Sequence, residues 1–235
     1  PSDLGPYCDD GYILPPLKVI QHVVQGDLTD GREDGQLFAL GGVSATTIHG
    51  TKRRSNASRV EQVKRIITAE PDEAWTVWCE TNYESEAITA LLPNSVEVRG
   101  SMDPDLKAAR LLEFAEGRPG SILVTKPSIA GFGMNWQSCA RVVFAGGTYS
   151  FEAFYQAIRR SWRFGQRRPV EVHVVMGLAE QAQWRAVINK SEAHIDLKFQ
   201  MLAASKRIQS ATSSSLRKYQ PNHAGRLPVW LMEAI

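Results

Sequence analysis

Short apolar runs alternate with segments of helical periodicity along most of this chain, and no other feature restricts its possible folds as much. The pattern predicts strands at 75–79, 96–98, 121–125, 141–145 and 170–175, with helices at 57–69, 83–92, 104–116, 150–164 and 178–200. A helix that follows a strand returns the chain to the edge of the sheet where that strand began, so successive strands run in parallel. The sequence therefore predicts an α/β fold, and 235 residues suffice for one such domain with an appendage.

The segment QAIRRSWRFGQRRP, residues 156–169, is rich in arginine. A helical projection from Phe151 places an apolar stripe opposite Gln156, Arg160, Arg163 and Arg167. No Asp or Glu lies between residues 152 and 171, so these arginines have no local carboxylate partner, and unpaired guanidinium groups suit phosphate. The alternative interpretation is an ordinary amphipathic helix with a solvated basic face.

A glycine-containing loop precedes this segment. In SILVTKPSIAGFGMNWQ, residues 121–137, a short buried strand runs into a loop with Gly131 and Gly133, and small residues let backbone approach a ligand closely. In a parallel sheet the functional loops lie at one edge. We therefore expect this loop and the arginine segment to converge.

These segments resemble a known family. TKPSIAGFGMNWQ is similar to motif V of superfamily-two helicases, in the form found in Snf-type DNA translocases, and QAIRRSWRFGQRRPVEVHVV is similar to motif VI with its following strand. LPPLKVIQHVV, AWTVWCETNYESEAI and VEVRGSMDPDLKAARLLEF resemble, in order, the crossing into the second lobe, motif IV, and the strand, turn and helix after it. The resemblance covers about residues 12–190 and is closest to helicases of phages and prophages. It implies a C-terminal RecA-like lobe, with helices on both faces of the sheet.

The resemblance also implies roles for individual residues. Arg160 and Arg163 would be catalytic arginine fingers that touch the γ-phosphate of ATP when the cleft between two lobes closes, and Gln156 would place the nucleotide or the attacking water. Gly133 and Asn135 would bind ATP on its ribose side and couple it to DNA. Strand ends would contact DNA phosphates without reading sequence, through Thr81, Asn82, Gly100, Ser101, Thr125 and Lys126.

Half of the chemistry of an ATPase is missing from this sequence. A phosphate-cradling G-x-x-x-x-G-K-[ST] loop occurs nowhere, and PDEAW at 71–75 precedes a strand, whereas an acidic metal-binding motif would end one. We therefore expect ATP and Mg²⁺ to be bound mainly by an N-terminal RecA-like lobe of a longer protein. The 235-residue fragment alone should be inactive as a hydrolase, and no metal ligand is predicted on it.

Charge and cysteine content bear on which functions remain possible for this chain. A net charge of +2 does not by itself indicate nucleic-acid binding, but KRR at 52–54, with Arg59, Lys64 and Arg65, forms a second basic cluster besides the arginine segment. Solvated helix faces are the alternative explanation for such clusters. The three cysteines are far apart and form no C-x-x-C pair, which disfavours a zinc site or a disulfide framework.

The sequence shows no signal peptide and no apolar stretch that could span a bilayer. It therefore predicts a cytoplasmic protein without a membrane partner, and the resemblance to phage and prophage helicases implies a bacterial host cell. His173, alone in a valine-rich strand, is interpreted as a packed core residue rather than a ligand.

The predicted organisation has three parts: a connector at 1–45 that contains a strand from Lys18 to Val24, the lobe at 46–200, and a serine-rich linker with a C-terminal tail at 201–235. The main hypothesis is the second motor lobe of an ATP-dependent DNA helicase or translocase, with DNA and the N-terminal lobe as partners. Two alternatives stay open. The chain could be a stand-alone nucleic-acid-binding or regulatory module without ATPase activity, or an inert remnant of a degraded prophage gene.

Overall fold

Six strands form one parallel sheet in the order β1-β6-β5-β2-β4-β3. The structure is a computed structural model that describes residues 13–25, 50, 52–130, 134–147 and 150–213. The strands are β1 (Leu17–Val24), β2 (Trp75–Trp78), β3 (Ser95–Glu97), β4 (Ile122–Thr125), β5 (Arg141–Phe144) and β6 (Val170–Gly177). The predicted α/β class and parallel sheet are confirmed.

Helices connect these strands and cover both faces of the sheet. Within the described ranges they are α1 (Asn56–Ala69), α2 (Asn82–Leu91), α3 (Pro104–Ala115), α4 (Pro127–Ala130), α5 (Phe151–Ile158) and α6 (Gln181–Ser213), with a short 3-10 turn at Leu178–Glu180 before the last. None of these helices has the length and apolar character that crossing a membrane requires.

Two apolar clusters sandwich the sheet. Successive strand residues point to opposite faces, so Val142 and Phe144 join one cluster while Val143 joins the other. The first cluster contains side chains of α3, α5 and the start of α6, such as Phe114, Phe154 and Trp184. The second contains side chains of α1 and α2. Strands buried on both faces explain the continuous apolar runs in the sequence.

The strand predicted inside the connector is part of the sheet. β1 pairs with β6 over eight residue pairs, from Leu17 with Val170 to Val24 with Gly177. The domain boundary at residue 45 remains a prediction, but this edge strand comes from the segment before it.

Two predicted helix ends need correction. α5 ends at Ile158, whereas the pattern predicted a helix to 164, because backbone carbonyls beyond that point bond to a neighbouring segment described below. α6 continues to Ser213, past the predicted end at 200 and into the serine-rich stretch that was predicted to be a linker. No Gly or Pro interrupts residues 201–213, and serine costs a helix only about 0.5 kcal/mol relative to alanine.

The chain divides into two compact units, residues 1–191 and 192–235. The first unit contains the sheet and the sites discussed below. The described part of the second unit, residues 192–213, is helical and exposes its large apolar side chains, among them Leu197, Phe199, Met201, Leu202 and Ile208.

Candidate functional site

A groove of about 310 Å³ lies at the carboxyl ends of β2, β3 and β4. Carboxyl ends of parallel strands are where α/β folds usually bind ligands. Five of the six residues predicted to contact DNA line this groove, and they come from three separate segments: Asn82, Gly100, Ser101, Thr125 and Lys126. Thr81, the sixth, immediately precedes Asn82. We call this surface the carboxyl-edge groove.

A capping box fixes the start of α2 beside the groove. The Thr81 hydroxyl oxygen accepts a hydrogen bond from the backbone N–H of Glu84 at 3.4 Å, and a Glu84 carboxylate oxygen accepts from the N–H groups of Glu80 and Thr81 at 3.0 Å. The T-x-x-E spacing at 81–84 is visible in the sequence. Thr81 therefore helps to position Asn82, and its own hydroxyl hydrogen is not used in this box.

Side chains from neighbouring elements hold the floor of the groove. Thr125 is buried, and its hydroxyl donates to the carbonyl of Val98 at 3.0 Å, so its single donor hydrogen has a partner within the protein. From α3, Arg110 donates to the carbonyl of Glu97 at 2.8 Å, and Lys107 donates to that of Gly100 at 3.1 Å. The turn after β3 is therefore fixed in shape by hydrogen bonds.

The arginine segment lies at the opposite edge of the sheet. α5 starts beyond the carboxyl end of β5 and runs back, so the residues between α5 and β6 lie at the amino edge. Arg160 and Arg163 follow the end of α5 and therefore do not share one helix face with Gln156, which is exposed on α5. This corrects the predicted amphipathic arrangement.

Arg160 is buried at 8% exposure, and its Nε has no hydrogen-bond partner among the described residues. Burial, together with the nearby guanidinium of Arg163, lowers the pKa of Arg160. Arg163 is half-buried. In the part of the chain that the structure describes, no carboxylate pairs with either guanidinium. Arg160 and Arg163 therefore lack acidic partners in the folded structure as well as in the neighbouring sequence.

The segment 134–139 packs against the arginine segment, whereas the glycines of the loop predicted to converge with it lie outside the described residues. The Trp136 N–H donates to the carbonyl of Arg160 at 2.9 Å, and the Gln137 side chain donates to that of Phe164. Asn135, next to Trp136, is exposed. Gly133, predicted with it on the ribose side of ATP, lies outside the described residues, as do Gly131 and Phe132.

Gln166 organises this region, although the sequence pattern assigned it no role. Its side chain is buried, donates to the carbonyls of Ser161 and Cys139, and accepts from the N–H groups of Arg167 and Arg168 at 3.0 Å each. Gly165 beside it has a φ of +88°, which favours glycine. The G-Q pair therefore shapes the turn that carries Arg163.

Two members of the basic cluster at residues 52–65 lie in the interior, whereas Arg53, Arg54 and Arg65 are exposed. Lys52 is buried and pairs with Glu80 and Glu180. Arg59 is also buried and donates to Glu84 at 2.7 Å. Burial alone would raise the pKa of Glu84, but the Arg59 guanidinium outweighs it, and that pKa lies below its usual value. Lys52 and Arg59 are thus not available to nucleic acid, which removes two of the six residues from the predicted basic cluster.

The described ranges contain no candidate site for metal or thiol chemistry. No group of three or more His, Cys, Asp or Glu side chains there could hold a metal ion. Cys79 and Cys139 are buried free thiols, and burial raises the pKa of both. We therefore assign no step to a metal or a thiolate of this chain.

The six-stranded parallel sheet and the helices on both of its faces form an α/β fold that matches the C-terminal RecA-like lobe of helicases. The structure is similar to the C-terminal domain of the DEAD-box protein Dbp5, with a TM-score of 0.53 and 13% identity over 74% of this chain and 84% of that chain. It is also similar to T4 UvsW, with a TM-score of 0.53 and 17% identity over 71% of this chain and 34% of that one. These likenesses show the fold, and a phage origin remains a prediction.

Sequence similarity extends to a smaller part of the chain. A stretch of 93 residues, 40% of this chain, is 31% identical to the bifunctional helicase and thymine dioxygenase JBP2 of Leishmania braziliensis, and the Leishmania infantum protein of the same name is 30% identical over 93 residues. The match spans 8% of the length of these relatives. No family model matches the chain.

Proposed function

We propose that this chain is the second motor lobe of an ATP-dependent DNA helicase or translocase, in which it supplies arginine fingers to the ATP site and phosphate contacts to DNA. The observation that carries the proposal is the buried Arg160 guanidinium, which lies adjacent to Arg163 and whose Nε has no partner in the part of the chain that the structure describes. The fold and the composition of the carboxyl-edge groove support it. The helicase part of the Leishmania proteins' name agrees with it, while the match is too short to carry over the dioxygenase part.

A buried cation without a counter-ion is costly, and two neighbouring guanidiniums add to that cost. An anion that reaches both groups removes the penalty. The charge that develops on a transferred phosphoryl group is such an anion, and arginines placed in advance stabilise it without reorganisation. Arg160 and Arg163 would therefore act on the γ-phosphate when a second lobe brings ATP to them, with Gln156, Asn135 and Gly133 proposed around the nucleotide.

The phosphate loop and Mg²⁺ would be supplied by the first lobe, because this sequence has no phosphate-loop motif and its described residues form no metal-binding group. Mg²⁺ would neutralise charge on the β- and γ-phosphates there. The residues of this lobe would position the nucleotide and stabilise charge.

The carboxyl-edge groove suits a nucleic-acid backbone. Lys126 offers a positive charge, Asn82 an amide and Ser101 a hydroxyl, and Gly100 exposes main chain between them. Donors of this kind bind phosphates without distinguishing bases. Such contacts fit a motor, which must hold every sequence equally while it moves.

The test is Arg163→Lys in the two-lobe protein. Lysine keeps the charge but loses the planar fork that contacts two phosphate oxygens, so DNA-stimulated ATP hydrolysis should fall by about 10³-fold or more. DNA affinity without nucleotide should change little. Arg65→Lys is the matched control, because Arg65 is exposed on α1 and paired only with Glu61 among the described residues; its turnover should equal that of the parent.

Turnover within a few-fold of the parent in Arg163→Lys would contradict the finger assignment. Salt-sensitive DNA binding that ATP does not affect, with no turnover in any form of the protein, would favour the alternative of a stand-alone nucleic-acid-binding or regulatory module.

A further inference from the structure

Arg99 lies on the wall of the carboxyl-edge groove, between two carboxylates. Its Nε contacts an oxygen of Glu97 at 2.6 Å, and its Nη1 donates to Glu86 at 3.0 Å. The Arg99 side chain is 36% exposed. Nothing in the sequence pattern singled out this residue, although its place directly before Gly100 and Ser101 at a strand end could have done so.

The two carboxylates differ in how firmly they hold the guanidinium. Glu97 is only 17% exposed, and although burial opposes it, contacts with Arg99 and Ser85 lower the pKa of Glu97. Glu86 is 56% exposed. Ion pairs between exposed groups contribute about 0.2–1 kcal/mol, so the Glu86 contact can be exchanged readily.

A guanidinium has five N–H donors in one plane. The Glu86 hydrogen bond uses one of them, while the Glu97 contact is a close ion pair without hydrogen-bond geometry. Glu97 therefore fixes the orientation of Arg99 while leaving donors for another anion. The Glu86 carboxylate occupies Nη1 of Arg99, so a phosphate that binds this part of the guanidinium must displace Glu86.

We propose that Arg99 is a phosphate-binding residue of the carboxyl-edge groove, positioned by Glu97 and masked by Glu86, which a nucleic-acid phosphate displaces. The inference rests on the proposed nucleic-acid function of the groove. It adds Arg99 as a phosphate contact and Glu86 as a group that competes with phosphate for Arg99. Because phosphate must compete with Glu86, the contact is weaker than a free arginine would make. A weak contact of this kind suits a motor that releases each phosphate in turn.

The structure offers a matched control elsewhere. Arg118 lies between two carboxylates in the same manner, Glu113 and Glu116, each at 2.9 Å. It precedes β4 and is therefore at the amino edge of the sheet, away from the groove. Arg118→Gln and Glu113→Gln make the same charge changes as Arg99→Gln and Glu86→Gln without touching the groove.

The experiment measures binding of a fluorescein-labelled, mixed-sequence single-stranded DNA to the purified chain, with an RNA of the same sequence as a second probe, over about 50–200 mM salt. Arg99→Gln should weaken DNA binding by about tenfold and reduce the slope of log affinity against log salt by about one. Glu86→Gln should strengthen binding by about two- to fivefold. Both controls should stay within about twofold of the parent.

Equal losses in Arg99→Gln and Arg118→Gln would overturn the inference, because the effect would then be one of net charge. Unchanged affinity in Glu86→Gln would overturn the masking role. If the unsubstituted chain binds neither probe at any salt concentration, the groove function itself fails and the inference falls with it. Circular dichroism and a urea unfolding curve for each variant separate these outcomes from misfolding.

Discussion

At the scale of single residues, His173 has a partner that its sequence interpretation did not include. It packs against Trp75, as a core residue would, but it also stacks on His22 with ring centroids 5.2 Å apart and a contact of 3.0 Å between Nδ1 of His173 and Nε2 of His22. Burial lowers the pKa of His173 to about 4, with smaller contributions in the same direction from His22 and Arg141. The carboxylates of Glu171 and Glu70 oppose this shift. Burial also lowers the pKa of His22.

This pair predicts acid sensitivity. The unfolded chain binds more protons than the folded chain between the unfolded pKa of about 6.5 and the folded value of about 4, so stability is present above that window and is lost as the pH falls through it. From about pH 7 to about pH 4.5, the free energy of unfolding should drop by the order of 2 kcal/mol on account of His173. Urea unfolding at a series of pH values, followed by tryptophan fluorescence, measures this.

His173→Phe keeps an aromatic ring without the titrating group, so its stability should depend less on pH in this window. His194→Gln is the control, because His194 is exposed on α6, and it should retain the pH dependence of the parent. A parent-like slope in His173→Phe would show that other groups cause the acid sensitivity.

At the scale of elements, buried ion pairs connect α1 to the loops at the carboxyl edge. Arg59 donates to Glu84 of α2, to the carbonyl of Lys52 at 2.7 Å and to the carbonyl of Ala145 after β5. Glu180, after β6, accepts from the N–H groups of Gly147 and Gly177. The segments that follow β2, β5 and β6 are therefore tied together, including the loop that leads to α5.

Arg59→Met should cost about 3–5 kcal/mol of stability, because it leaves the Glu84 carboxylate buried without its cation. Arg65→Met, on the exposed side of the same helix, should change stability by less than about 0.5 kcal/mol. Chemical denaturation of both variants makes the comparison. A loss below about 1 kcal/mol in Arg59→Met would mean that the pair contributes little beyond well-packed apolar atoms.

At the scale of the whole molecule, the two candidate sites lie at opposite edges of one sheet. The carboxyl-edge groove is proposed to face DNA, and the amino-edge arginines are proposed to face ATP. The sheet and its buried loops connect them, which suits a lobe that moves as a body when a cleft closes. The moving parts would then be two lobes rather than segments within this one.

The chain by itself should hydrolyse no ATP, because its sequence holds no phosphate loop and its described residues form no metal-binding group. It should bind DNA weakly, with little sequence preference and with affinity that falls as salt rises. Phosphate release with and without DNA, and competition between oligonucleotides of unrelated sequence, measure these properties. DNA-stimulated turnover by the 235-residue chain would contradict the first expectation, and a sequence-specific footprint would contradict the second.

The sequence by itself determined the fold class and the grouping of the groove residues. Buried parallel strands must be apolar on both faces and must alternate with helices, and both patterns are local. Asn82, Gly100 and Lys126 each follow a strand closely, and carboxyl ends of parallel strands meet at one edge, so their proximity could be predicted without distances.

Only the tertiary structure decided where α5 ends and which charges are free. Nothing local stops a helix at Ile158; the carbonyls of Arg160 and Phe164 bond instead to Trp136 and Gln137, which are more than twenty residues away in the chain. Lys52 and Arg59 belong to a basic run in the sequence, yet Glu84 and Glu180 neutralise them in the interior. The electrostatic state of a side chain depends on groups that folding brings near it, and those groups are set by packing rather than by neighbouring sequence.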